Sequence, residues 1–177
     1  MFERSLFALM NGMMMLSLWL VLVNPVSAGV TTHVAPSGDA IELEIPTDVG
    51  VQKETLPLYR SGKIQYFSAG IGQVEREATY PPFSLKLVFT AGGKPFVTGV
   101  AVVLRHSNGA TLLTVPREQV TGPWLFIDVP EGTYEVAATL GGQTQQVKGI
   151  KVRRGHVSTQ HVRWAEDRSP VLPAQVE

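Results

Sequence analysis

The sequence predicts an all-β protein: a single antiparallel β-sandwich of about seven strands, with one short helix before the first long strand. Three observations predict it. Between Phe83 and Trp164, short runs that alternate apolar and polar residues follow one another closely, as half-buried strands do. Turn signals separate them, among them Asn108-Gly109, Pro130-Glu131-Gly132 and Gly141-Gly142. The only helical candidate, Gln73 to Ala78, is short and charged, and Pro81-Pro82 stops it.

The chain of 177 residues is long enough for one ordinary domain. The first 28 residues stand apart from that domain. Arg4, offset by Glu3, precedes an almost uncharged apolar run from Leu6 to Val23, and Val26-Ser27-Ala28 suits a signal peptidase. Residues 1–28 are therefore expected to be a signal peptide, cut after Ala28. The alternative is an uncleaved inner-membrane anchor through Leu6–Val23, because about 18 apolar residues begin to span a bilayer. Both place the domain outside the cytoplasm, in the periplasm or secreted. The absence of cysteine excludes a disulfide framework, a thiol nucleophile, a Cys-based metal site and a lipid-modified Cys. Lys+Arg and Asp+Glu balance at 15 each, so no global charge draws the chain to nucleic acid.

Residues 29–61 are polar and broken by Pro36, Pro46 and Pro57. They are expected to form a loosely structured lead-in, from which Ala40 to Pro46 lends one edge strand. The sandwich is expected over residues 62–164. Tyr66 runs as a strand into the glycine-rich turn Gly70-Ile71-Gly72, and Leu85, Leu87 and Phe89 share a face of the next strand. Val100, Val102 and Leu104 lead to Asn108-Gly109, a hairpin signal of the type I′ kind, and Thr111 to Val115 returns. Trp124 to Val129 and Thr133 to Leu140 flank a turn in which Pro130 presets φ. Gly141-Gly142 makes a second hairpin into Gln143 to Arg153, with Gly149 as a bulge, and Val157 to Trp164 is last. The tail, residues 165–177, has two prolines and no periodicity and is expected to be disordered.

Within GPWLFIDVPEGTYEV every residue has a structural job. Leu125, Ile127 and Val129 meet Tyr134, Val136 and Ala138 across a core. Trp124 and Phe126 point the other way. They are either an exposed stacking platform for a ligand or the floor beneath the N-terminal segment, and the second is preferred, since apolar residues on both faces mark a strand covered on both sides.

GGKPFVTGVAVVL followed by GPWLFIDVPEGTYEVAATLGGQTQQVKGIKV resembles the carboxypeptidase regulatory-like domains, which are transthyretin-like (prealbumin-type) sandwiches. The layout is similar to small exported bacterial proteins bearing that domain, in which a glycine-rich segment like Ala69 to Arg76 precedes a strand like Leu85 to Phe89. The resemblance covers roughly residues 62–164. It implies a fold and an export route and no established activity.

Candidates for chemistry are few. His33, His106, His156 and His161 lack the even spacing that would place a pair on one strand face, and no carboxylate cluster accompanies them, so no metal or cofactor is expected. Intradiol dioxygenases of this fold need two Tyr and two His as iron ligands, and Tyr59, Tyr66, Tyr80 and Tyr134 match no such motif. The terminal Tyr-Arg-Gly-Ser of hydroxyisourate hydrolases is missing, as is a Gly-x-Ser-x-Gly elbow. Glu75 and Glu77 read as solvated charges rather than an acid–base pair. Lys148, Lys151, Arg153, Arg154 and Arg163 gather late, either as a patch for an anionic ligand or as charges guarding an edge strand. The expected function is a non-catalytic binding or scaffolding module of the bacterial periplasm or envelope. Its partner would be an envelope protein, a polysaccharide or a small molecule, and its candidate contacts are Trp124, Phe126, Lys151 and Arg153. The alternative is a small hydrolase or metal-dependent enzyme using His106, His156 or His161. An accessory subunit with an uncovered apolar face is a third expectation.

Overall fold

The computed structural model describes residues 29–92 and 96–165. The expected leader lies outside the described residues, and so does the expected tail apart from Ala165. Among the described residues, no helix is long and apolar enough to cross a membrane.

The protein is an all-β sandwich with a third layer. In chain order the strands are β1 (Thr31–Val34), β2 (Ala40–Thr47), β3 (Gly50–Pro57), β4 (Tyr59–Ser61), β5 (Ile64–Ala69), β6 (Leu85–Ala91), β7 (Ala101–His106), β8 (Thr111–Val115), β9 (Trp124–Asp128), β10 (Gly132–Leu140), β11 (Gln143–Val152) and β12 (Ser158–Trp164). Helix α1 (Gln73–Glu77) and a single 3₁₀ turn at Arg117–Gln119 complete them. One sheet runs β12-β6-β9-β5-β4, and a second runs β11-β10-β7-β8. Among the described residues the strands pair antiparallel except β12 with β6, where Ser158 stands beside Leu85 and Trp164 beside Ala91, and a single parallel bridge joins Thr31 to Thr79.

The alternation read from the sequence builds the core. Leu85, Leu87 and Phe89 of β6 and Leu125 and Ile127 of β9 meet Val102 and Leu104 of β7 and Tyr134 and Val136 of β10 in one buried cluster. Trp164 closes it from β12, and its Nε1 donates to the Gln143 carbonyl at 3.0 Å. Gly141 and Gly142 both take positive φ, as the two-residue β10–β11 turn requires. The expected bulge falls where Tyr134 pairs with Ile150 but Val136 with Val147.

Three expectations are corrected. Residues 29–61 are no loose lead-in: β1, β2 and β3 form an antiparallel sheet on the outer face of the five-stranded sheet. Their prolines sit where the chain can spare an N–H. Pro36 occupies the second place of the turn closed by the Gly38 amide on the Ala35 carbonyl at 2.8 Å. Pro46 lies beyond the reach of β1, and Pro57 ends an edge strand. With this sheet, β4 and β5 the described residues form twelve strands, of which β6 to β12 are the seven that the sequence predicts between Phe83 and Trp164. The short helix follows β5 and so comes after the eight-residue strands β2 and β3, not before the first long strand. Finally, the β7–β8 turn starts one residue earlier than a type I′ Asn-Gly turn. The Gly109 amide donates to the His106 carbonyl at 2.8 Å, so Asn108-Gly109 fill its last two places, with Gly109 at φ 89.

Candidate functional site

Two crossings between the sheets run side by side at one end of the sandwich. The first carries β9 into β10 through Val129, Pro130 and Glu131. It is held from both sides. Tyr134, fully buried, donates from Oη to the Pro130 carbonyl at 2.7 Å, and a side chain at Gly132 would press on that hydroxyl. Ser84 Oγ accepts from the Val129 amide at 2.7 Å and donates to the Val129 carbonyl at 2.8 Å. The second crossing carries β11 into β12 through Arg153 to Val157, and the Ser158 amide donates to the Ser84 carbonyl at 2.9 Å. Ser84 thus ties the two crossings together.

Between them lies a cleft of about 400 Å³, with Arg153, Arg154 and His156 on one wall and Asp128 and Glu131 on the other. It continues into a hollow of about 280 Å³ lined by Lys151, Arg153, His156 and Ser158. The charge here is local. From Gln143 to Trp164 there are five Lys or Arg, two His and no Asp or Glu. Lys148 pairs with Glu135 at 3.4 Å. Among the described residues, Lys151, Arg153 and Arg154 have no carboxylate within ion-pair reach. Guanidinium forks with an adjacent ammonium and hydroxyl suit the oxygens of a carboxylate or phosphate, since they match planar oxyanions two bonds at a time.

Ser84, His156 and Asp128 line the same cleft, which raises the question of a triad. The Ser84 hydroxyl answers it: its proton goes to the Val129 carbonyl and its lone pair takes the Val129 amide, so it is spent on backbone. A nucleophile needs that proton on its base.

The other candidates lie elsewhere. Phe126 is 5% exposed and stacks on Phe67 at 4.7 Å beneath the N-terminal sheet. Trp124 is half-buried beside it, and Lys86 Nζ lies 3.5 Å from the Trp124 ring centroid. An exposed aromatic platform is therefore not formed, because Ile41 and Leu43 of β2 and the Lys86 stem cover it. Burial pushes the Lys86 ammonium below its ordinary range, and the ring faces are what it has in exchange. His106 stands across the β9–β10 crossing, stacked on Tyr134 at 5.0 Å. His161 points outward from β12, and His33 lies 3.4 Å from Glu42. Among the described residues no group of three or more His, Asp or Glu is placed to hold a metal.

The glycine-rich turn also has a structural account. The Glu75 carboxylate accepts from the Gly70 amide at 2.7 Å and the Ile71 amide at 3.1 Å, while Arg76 donates to the Gly70 carbonyl at 3.3 Å. Glu77 instead accepts from Gln73 at 2.7 Å, so the two glutamates do not pair. Sequence reasoning found the basic wall of the cleft and missed Asp128, Glu131 and Ser158. Their signal is absent from local spacing, because the crossings that bring them together depend on sheet order. Comparisons with protein-family models, with curated proteins and with solved structures give no match.

Proposed function

We propose that the chain is an exported, non-catalytic binding module of the bacterial periplasm or cell envelope, and that its basic cleft takes an anionic group of an envelope polymer. The observation that carries this is the convergence of Lys151, Arg153 and His156 around one hollow, with no described carboxylate paired to either Lys151 or Arg153. Charges that merely guard an edge strand need not share a concavity. Asp128 and Glu131 on the facing wall offer acceptors to sugar hydroxyls. Export is supported by the apolar run from Leu6 to Val23 with Val26-Ser27-Ala28 after it, and the sandwich agrees with the carboxypeptidase regulatory-like resemblance.

The test is calorimetric titration with inorganic phosphate and with a soluble polyuronate, at low and at physiological salt. Wild type should bind the polymer, more weakly as salt rises. Lys151→Ala with Arg153→Ala should weaken binding at least tenfold, about 1.4 kcal/mol or more. Equal binding by the double variant, or none by wild type, would end the proposal.

A further inference from the structure

Across the β9–β10 crossing from the basic cleft lies a second one, of about 500 Å³. It opens between the β4–β5 hairpin of one sheet and the β7–β8 hairpin of the other. Its floor is apolar, from Ile64, Leu112 and Val129, and its rim carries Lys63, His106 and Asp128. That size and that mixture, an apolar floor with a few polar groups, are what small-molecule sites have. The walls are firm. His106 is stacked on Tyr134 at 22° between planes, its amide is bonded to the Ala110 carbonyl at 2.9 Å, and Tyr134 holds Pro130.

We infer that this cleft binds an amphipathic zwitterion: an apolar amino acid or a dipeptide of apolar residues. Lys63 and Asp128 line the same cleft, yet neither forms an ion pair with any described residue. Two opposite charges that face one space without closing on each other are each open to a counter-charge. A ligand with a carboxylate for Lys63 and an ammonium for Asp128 answers both, and an apolar side chain covers Ile64, Leu112 and Val129. A simple carboxylic acid would leave Asp128 unanswered, and an amine would leave Lys63 so. The two clefts share Asp128, Val129 and Pro130, but this inference does not rest on the anion-binding proposal and goes beyond it.

The experiment titrates the purified chain with leucine, leucyl-leucine, N-acetyl-leucyl-leucine and leucyl-leucine amide, followed by calorimetry and by the His106 ring resonances. Leucine or leucyl-leucine should bind saturably and shift those resonances, the better of the two fixing the ligand's length. Blocking either terminus should weaken binding at least tenfold. Lys63→Ala and Asp128→Asn should each do the same, and both side chains are exposed, so both variants should fold. Arg163→Ala, exposed on β12 and outside the lining of this cleft, should leave the affinity unchanged. No saturable binding of any probe by folded wild type would overturn the inference, as would blocked probes or the two variants binding as well as the parents.

Discussion

Two serines set the position of β9, one at each end. Ser68 Oγ accepts from the Gly122 amide at 2.8 Å and donates to the Trp124 carbonyl at 3.1 Å, where β9 begins. Ser84 makes the matching pair with Val129, where β9 ends. Each hydroxyl bridges a backbone amide and a backbone carbonyl at an end of β9, and a buried amide left without an acceptor is costly. Ser84→Ala should therefore lower stability by about 1–3 kcal/mol, read from the urea midpoint. Its larger effect should be local, as faster hydrogen exchange of the Val129 amide. Nothing in the sequence marked either serine, since a serine on a strand edge and a serine bridging two backbone groups are spelled alike. Tyr134 was legible as core, but its bond to Pro130 was not, because that bond needs the crossing to fold back over the ring.

The N-terminal sheet is the element where sequence and structure part most. Three prolines and a polar composition suggested a loose segment. Yet Ile41 and Leu43 of β2 have no exposed surface and cover Phe67, Phe83 and Phe126. The clue is on the partner: apolar residues on both faces of the 124–129 run, with Trp124 and Phe126 on the outer one, require a cover, and packing under the N-terminal segment is the preferred role for those two aromatics. What alternation alone missed is β3, which reads as polar because it lies exposed along almost its whole length and pairs with β2 through backbone. Leu43→Ala should cost about 2–5 kcal/mol, as buried Leu→Ala changes do. Thermal unfolding followed by Trp fluorescence and by circular dichroism tests whether the sheet belongs to the same cooperative unit. Coincident, lowered transitions are expected. A separate early transition would make the N-terminal sheet a detachable cover instead.

At the scale of the whole molecule, equal numbers of acids and bases conceal an uneven distribution. The stretch from Gln143 to Trp164 has no acid, whereas Glu42, Glu44 and Glu54 lie on the N-terminal sheet. Composition could only say that there is no overall charge. The basic run was visible in one dimension, but the concavity that gathers it was not, since β11 and β12 belong to different sheets. The same long-range closure makes Trp164 decisive. It is 1% exposed, lies against Phe89 at 6.3 Å and bonds the Gln143 carbonyl. Trp164→Ala should cost about 3–5 kcal/mol and raise the unfolding rate in stopped-flow measurements. A loss below 1 kcal/mol would show that β12 is an accessory strand.

The parallel union of β12 with β6 has a consequence for how the chain comes into being. β6 is made long before its neighbour, and during that interval one side of it has nothing to bind. β12 comes after every other described strand, so the core that Trp164 closes is completed only by a contact of long sequence separation, and until then the open side of β6 is an unpaired edge.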